Sequence, residues 1–187
     1  MKFTVKYFNY HSITCSLLIL LVTGFLFSCK RPVQYPEGRN NKSTRDASES
    51  LLNINKYLVK RQQEIIEAYV ERVGWDMKTS HTGLWYMICE NGTGARGEKD
   101  KIIALDYTIS LLDGTLCDAS PEGKPKSFRI GHGGVEPGLE EGALLLREGD
   151  KARFIMAPHL AHGNFGDSDK IPPGEILIYD VFVRYVQ

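Results

Sequence analysis

His159-Leu160-Ala161-His162 is the stretch of this sequence that comes nearest to a metal site. Two histidines three apart bring two ligands where a zinc site needs three or four. No third ligand stands in register, so no metal is expected. His162 is better suited to donating a ring N–H, and an imidazole that ionises near neutral pH would make that role pH-sensitive. The four cysteines, Cys15, Cys29, Cys89 and Cys117, include no Cys-x-x-Cys pair and no metal spacing. Asp118 follows the hairpin signal Asp113-Gly114 and reads either as a turn residue or as a placed carboxylate. Tyr107, Phe128 and Tyr179 fall where strand alternation turns side chains inward, so their rings are either ordinary core or the wall of a cup.

A short helix and a set of strands must position these residues. Pro137 suits the first turn of a helix, where a missing N–H costs nothing, and Gly149 suits the left-handed residue just past its end. Leu139, Ala143 and Leu146 share one face of that helix. Gly138 and Gly142 cut a groove along it, and two glycines leave so short a helix too weak to stand alone. A sheet must wrap it. Strands are expected over Gly83–Cys89, Ile103–Leu111, Thr115–Cys117, Ser127–Ile130, Lys151–Ala157 and Glu175–Val186. In the last of these, Leu177, Tyr179, Val181, Val183 and Tyr185 share a face. The fold class is α+β, an antiparallel sheet curled around one short helix.

Upstream, Leu51, Ile54, Leu58, Ile65, Tyr69 and Val73, widened by Ile66 and Val70, mark an amphipathic helix from Ala47 to Val73. Asp46 or Ser48 is placed to cap it, and Gly74 to end it. Its stripe either docks on the same chain, pairs with a second copy in a homodimer through residues 47–73, or cradles a client. Residues 47–82 are thus helix and connector, and 29–46, poor in apolar residues, are a disordered tether spanning roughly 25 Å on average. Before it, Lys2 and Lys6 precede an apolar run from Ile13 to Phe27, the pattern of an export signal over residues 1–28. An uncleaved membrane anchor is the alternative. Acidic and basic residues number 23 each, so the formal charge is zero and no cationic face for nucleic acid is expected.

The run Val135-Glu136-Pro137-Gly138-Leu139-Glu140-Glu141-Gly142, then Gly149-Asp150-Lys151-Ala152, Ala161-His162-Gly163, Ile171-Pro172-Pro173 and Leu177-Ile178-Tyr179-Asp180-Val181, resembles the FKBP-type peptidyl-prolyl isomerases over residues 83–187. Leu26-Phe27-Ser28-Cys29 resembles a bacterial lipobox, which makes Cys29 a lipid anchor. Gly83-Leu84-Trp85-Tyr86-Met87 and Ala157-Pro158-His159 further resemble the gliding-motility-associated FKBP-like lipoproteins of Bacteroidetes. The family fold is a half-wrapped sheet, and its pocket carries over residue by residue. Tyr107, Phe128, Val135, Ile171 and Tyr179 match apolar or aromatic pocket positions, Asp118 the pocket aspartate, and the backbone N–H of Glu136 the main-chain donor to substrate. Cys117 and Lys126 replace aromatic pocket residues, Leu139 the usual tryptophan floor, and His162 a substrate-binding tyrosine. Cys117, Lys126 and His162 shrink or wet the walls. By the same analogy Cys89 and Cys117 lie on different parts of the domain and remain free thiols.

The resemblance implies a cofactor-free isomerase, with Tyr107, Asp118, Tyr179 and His162 in catalytic roles and Phe128, Val135, Glu136, Leu139, Ile171 and Cys117 binding substrate. Its partners would be proline-containing exported polypeptides, met outside the cytoplasm and on the periplasmic side of a membrane. The alternative is a catalytically weak binding or chaperone module for an envelope or gliding-machinery partner.

Overall fold

In the computed structural model, which describes residues 41–187, the strand alternations become one antiparallel seven-stranded sheet. The export signal, Cys29 and the tether as far as residue 40 lie outside the described residues. The elements are α1 (Asn41–Val73), β1 (Lys78–Thr79), β2 (Trp85–Glu90), β3 (Ile102–Leu111), β4 (Leu116–Ala119), β5 (Lys126–Arg129), α2 (Pro137–Ala143), β6 (Lys151–Met156) and β7 (Leu177–Val186). Along the sheet the order is β1-β2-β6-β7-β3-β4, with β5 pairing the Ile102–Leu105 end of β3. Among the described residues no helix is long and apolar enough to cross a membrane.

One face of the sheet wraps α2. Leu139, Ala143 and Leu146 are fully buried against Leu105, Phe154, Met156 and Tyr179. The two helix glycines are where the sheet comes closest. A Cβ on Gly142 would lie 2.7 Å from the Phe154 ring, and one on Gly138 2.8 Å from the Met156 sulfur. The helix ends sooner than expected, at Ala143, and the chain tightens through i→i+3 bonds at Leu144, Leu145 and Leu146. Gly149 does adopt a left-handed φ of 90°, in the turn before β6 and not at the helix end. That turn is tied by Asp150, whose buried carboxylate accepts the N–H groups of Gly92 and Arg147, both at 2.6 Å.

The opposite face carries a second cluster. Ile66 and Val70 of α1 are buried with Ile155, Ala157, Ile176 and Ile178, and Gln63 fixes the helix by accepting from Trp85 Nε1 at 2.7 Å and donating to the Gly83 carbonyl. Only the last turns of the apolar stripe are covered. Leu51, Ile54, Leu58 and Ile65 are exposed. The helix begins at Asn41, inside the stretch read as tether, so neither Asp46 nor Ser48 caps it. No glycine or proline interrupts residues 41–73, and lack of apolar residues removes burial without removing helix propensity. Two further differences concern the strands. Lys78 and Thr79, expected in a polar connector, pair with β2. A register shift opposite Ala104 and Leu105 breaks the β7 alternation, and Val186 joins the core where Tyr185 was expected.

Candidate active site

The residues singled out from the sequence converge between the sheet and α2. β3 supplies Tyr107, β4 Cys117 and Asp118, β5 Lys126 and Phe128, the approach to α2 Val135 and Glu136, α2 itself Leu139, the loop before β7 His162 and Ile171, and β7 Tyr179. Cys117, Phe128, Leu139, Ile171 and Tyr179 belong to one buried cluster, with Tyr107 and Val135 packed on it half-buried. The floor is closed in this structure, with Leu139 and Tyr179 at 0% exposure.

Each tyrosine hydroxyl is held by a carboxylate. Tyr107 donates to Asp118 Oδ2 at 2.7 Å, and Lys170 of the long loop lies 3.6 Å from the other oxygen. Burial, with the Asp118 bond adding to it, pushes the Tyr107 hydroxyl up to about 12. The same bond, opposed by desolvation, holds Asp118 below the usual carboxylate range. Tyr179 donates to Glu136 Oε1 at 2.9 Å, and its own burial followed by that carboxylate's charge pushes its hydroxyl far up. Both phenols therefore stay protonated donors.

Glu136 is the residue whose side chain the sequence reading overlooked, since only its backbone N–H had a role there. Its carboxylate is 8% exposed and lies 3.1 and 3.3 Å from Lys126 Nζ and 3.3 Å from His162 Nε2. Burial disfavours the ionised form, yet the residue's own backbone N–H, Lys126 and Tyr179 outweigh it and hold Glu136 ionised below its ordinary range. Lys126 also sits 5.5 Å from the centre of the Tyr107 ring, bridging the two sides of the cup. The available signal was the opposite charges of Lys126 and Glu136, which meet only once β5 and α2 are folded together.

Cys117 is buried and its thiol is pushed up by desolvation, while Cys89 is exposed; both are free thiols. His159 points away from His162 and contacts the Thr82 carbonyl at 3.3 Å. Among the described residues no three His, Cys, Asp or Glu side chains converge on a metal position. A groove of about 520 Å³ on the other face of the sheet is lined by Asp106, Arg153, Asp180, Phe182 and Arg184 and shares Tyr107 with the cup.

A family model described as FKBP-type peptidyl-prolyl cis-trans isomerase matches residues 94–184. The chain is 40% identical over 106 residues to a probable FKBP-type peptidyl-prolyl cis-trans isomerase FkpA of Neisseria meningitidis, taking in 56% of this chain and 38% of that protein. It spans about two fifths of the length of the curated relatives it matches. Among solved structures, that of AtFKBP13 is similar with a TM-score of 0.55 at 31% identity, covering 58% of this chain and 96% of the other. That of FkpA from Escherichia coli has a TM-score of 0.59 at 27% identity and covers 93% of this chain and 82% of the other.

Proposed function

This chain belongs to the FKBP-type peptidyl-prolyl cis-trans isomerase family, and we propose on that basis that it isomerises prolyl bonds of exported or envelope polypeptides. The observation that carries the proposal is the gathering of Tyr107, Phe128, Val135, Leu139, Ile171 and Tyr179 around the start of α2, with Asp118 bonded to Tyr107. Rotating an amide bond means giving up its conjugation, a barrier of about 18–20 kcal/mol, and no covalent bond breaks. A nucleophile is unnecessary. The twisted amide is less polar than the planar one, so a cup of rings that excludes water favours it. Asp118 would orient the Tyr107 hydroxyl at the rim, and Phe128, Leu139 and Ile171 would enclose the proline ring. An acceleration of a millionfold asks for about 8 kcal/mol.

The place of action follows from the N-terminal sequence. Lys2 and Lys6, the Ile13–Phe27 run and Leu26-Phe27-Ser28-Cys29 support export and a lipid on Cys29, and Lys30 and Arg31 after it, which provide no acidic surface-export cue, favour the periplasmic side. The exposed Leu51, Ile54 and Leu58 support pairing of two copies through residues 47–73. A gliding-machinery partner rests on the narrower resemblance alone. One observation favours a second reading, a weakly catalytic binding module: the Lys126–Glu136 ion pair stands inside a cup that works best dry.

The chain from Lys30 onward, assayed on a prolyl tetrapeptide, is expected to isomerise it, and a Tyr107→Ala plus Asp118→Ala double variant to lose that rate. Equal rates would leave the binding module as the better reading. A mature mass without lipid at Cys29 would remove the anchor and leave the isomerase untouched.

A further inference from the structure

Glu136 occupies the cup in a particular way. Its backbone N–H is the main-chain donor that the family pattern offers to a substrate carbonyl, and its own carboxylate, instead of reaching solvent, is buried at 8% exposure. The carboxylate accepts the Tyr179 hydroxyl at 2.9 Å and the Lys126 ammonium at 3.1 Å, and the His162 ring nitrogen lies 3.3 Å from it. Two donors of the cup thus end on one internal group, with the His162 ring beside it. A carboxylate oxygen and an amide carbonyl oxygen ask for the same donor geometry. With the pair in place, Leu139 and Tyr179 beneath it have no exposed surface.

We infer that the Glu136 carboxylate is a resident stand-in for the substrate carbonyl, and that a prolyl substrate enters only as the Glu136 and Lys126 side chains swing out of the cup together. This rests on the isomerase reading and adds a gate to it. The two must leave as a pair, because a buried carboxylate stripped of its cation is the costlier state. Lys126 is the hinge side of the motion. Its side chain is already 29% exposed on the edge strand β5, whereas Glu136 has 8%. Pro137 fixes the backbone that follows Glu136, so the movement is one of side-chain rotamers and α2 stays in place.

The test uses the full chain and a prolyl tetrapeptide, Ala-Leu-Pro-Phe, with binding measured by calorimetry and isomerisation measured separately by NMR exchange. Glu136→Ala and Glu136→Ile are expected to lower Kd and KM by about tenfold or more, the equivalent of about 1.4 kcal/mol. Glu136→Gln keeps a carbonyl that can accept the Tyr179 hydroxyl and loses the charge that pairs Lys126, so its Kd is expected between those of wild type and the alanine variant. In the wild-type chain, saturating peptide must displace the Glu136 amide and carboxyl resonances. Peptide binding that leaves those resonances unmoved overturns the gate, whether or not the variants fold. So do folded apolar variants whose Kd equals or exceeds that of wild type. Tighter binding by the variants with no isomerisation by any chain would uphold the gate and remove the isomerase. Isomerisation at equal Kd and KM in all chains would do the reverse. A peptide that binds none of them would remove both.

Discussion

Replacing Gly142 by alanine sets two opposed effects against each other, and the structure decides between them. Alanine in place of glycine inside a helix is favourable by roughly 0.5–1 kcal/mol, because the unfolded chain loses freedom and the helix gains a better former. Against this, the new methyl would stand 2.7, 3.0 and 3.1 Å from three carbons at the edge of the Phe154 ring. Phe154 has no exposed surface and stands in the middle of β6 between β2 and β7, so it cannot swing aside. Overpacking of this kind costs roughly 1–3 kcal/mol, and the net effect expected is a loss of about 0.5–2 kcal/mol. For a chain of 187 residues, that is a fall in Tm of about 1–8 °C. Urea melts followed by far-UV circular dichroism read the difference directly. Phe154→Leu, costly alone, should recover part of the loss when combined with Gly142→Ala, since contacting residues are not additive. The helix also carries Leu139 and follows Glu136, so a rise in KM should accompany the lost stability. A Gly142→Ala chain more stable than wild type would mean that propensity wins and that the sheet does not press on this helix as described.

Two further outcomes follow from the carboxylates. Tyr107→Phe removes the bond that holds Asp118 below its ordinary range, so the Asp118 carboxyl midpoint, read by NMR titration, should move up. A group depressed in the folded state stabilises above its unfolded value and loses that contribution as pH falls through the folded one; the variant should therefore lose less stability than wild type on acidification below about pH 4. An unmoved midpoint would count against the Tyr107–Asp118 bond. Asp150→Ala leaves the N–H groups of Gly92 and Arg147 without an acceptor and should cost roughly 2–5 kcal/mol in a urea melt. Asp150→Asn keeps one carbonyl oxygen and should recover part of that; a loss under about 1 kcal/mol for the alanine variant would refute the tie.

The parts of the fold legible in the sequence are those set by local pattern. Ile103, Leu105 and Ile109 announce β3 by alternation, and Pro137 marks the first turn of α2. The parts that were not legible depend on distant partners. α2 stops at Ala143 and the chain turns at Gly149 because Asp150 reaches Gly92, a residue 58 positions away. The shift to Val186 as a core residue depends on an extra residue opposite β3, which no single strand displays. For α1, periodicity tells which face is apolar and is silent on what covers it; Ile66 and Val70 are packed while Leu51 and Leu58 are not. The candidate site followed the same division. Its apolar members were legible as inward positions, whereas the Glu136 side chain, being polar, was passed over until Lys126 and Tyr179 were seen around it.

The cup holds two tyrosine–carboxylate–lysine series, Tyr107–Asp118–Lys170 and Tyr179–Glu136–Lys126, and their burial separates what they can do. Asp118 and Lys170 are 39% and 56% exposed at 3.6 Å, a rim pair of the kind that contributes little to stability and can open at almost no cost. It orients a hydroxyl and leaves the rim free. Glu136 and Lys126, at 8% and 29%, are closer and drier, and breaking that pair by removing one partner leaves a bare charge inside. Yet two well-packed apolar side chains of similar size would serve stability at least as well as such a pair does. Stability therefore supplies no reason for charge at these two positions. The proposed gate supplies one: a side-chain pair that fills the site and can be solvated when it leaves makes entry conditional, which two apolar residues would not.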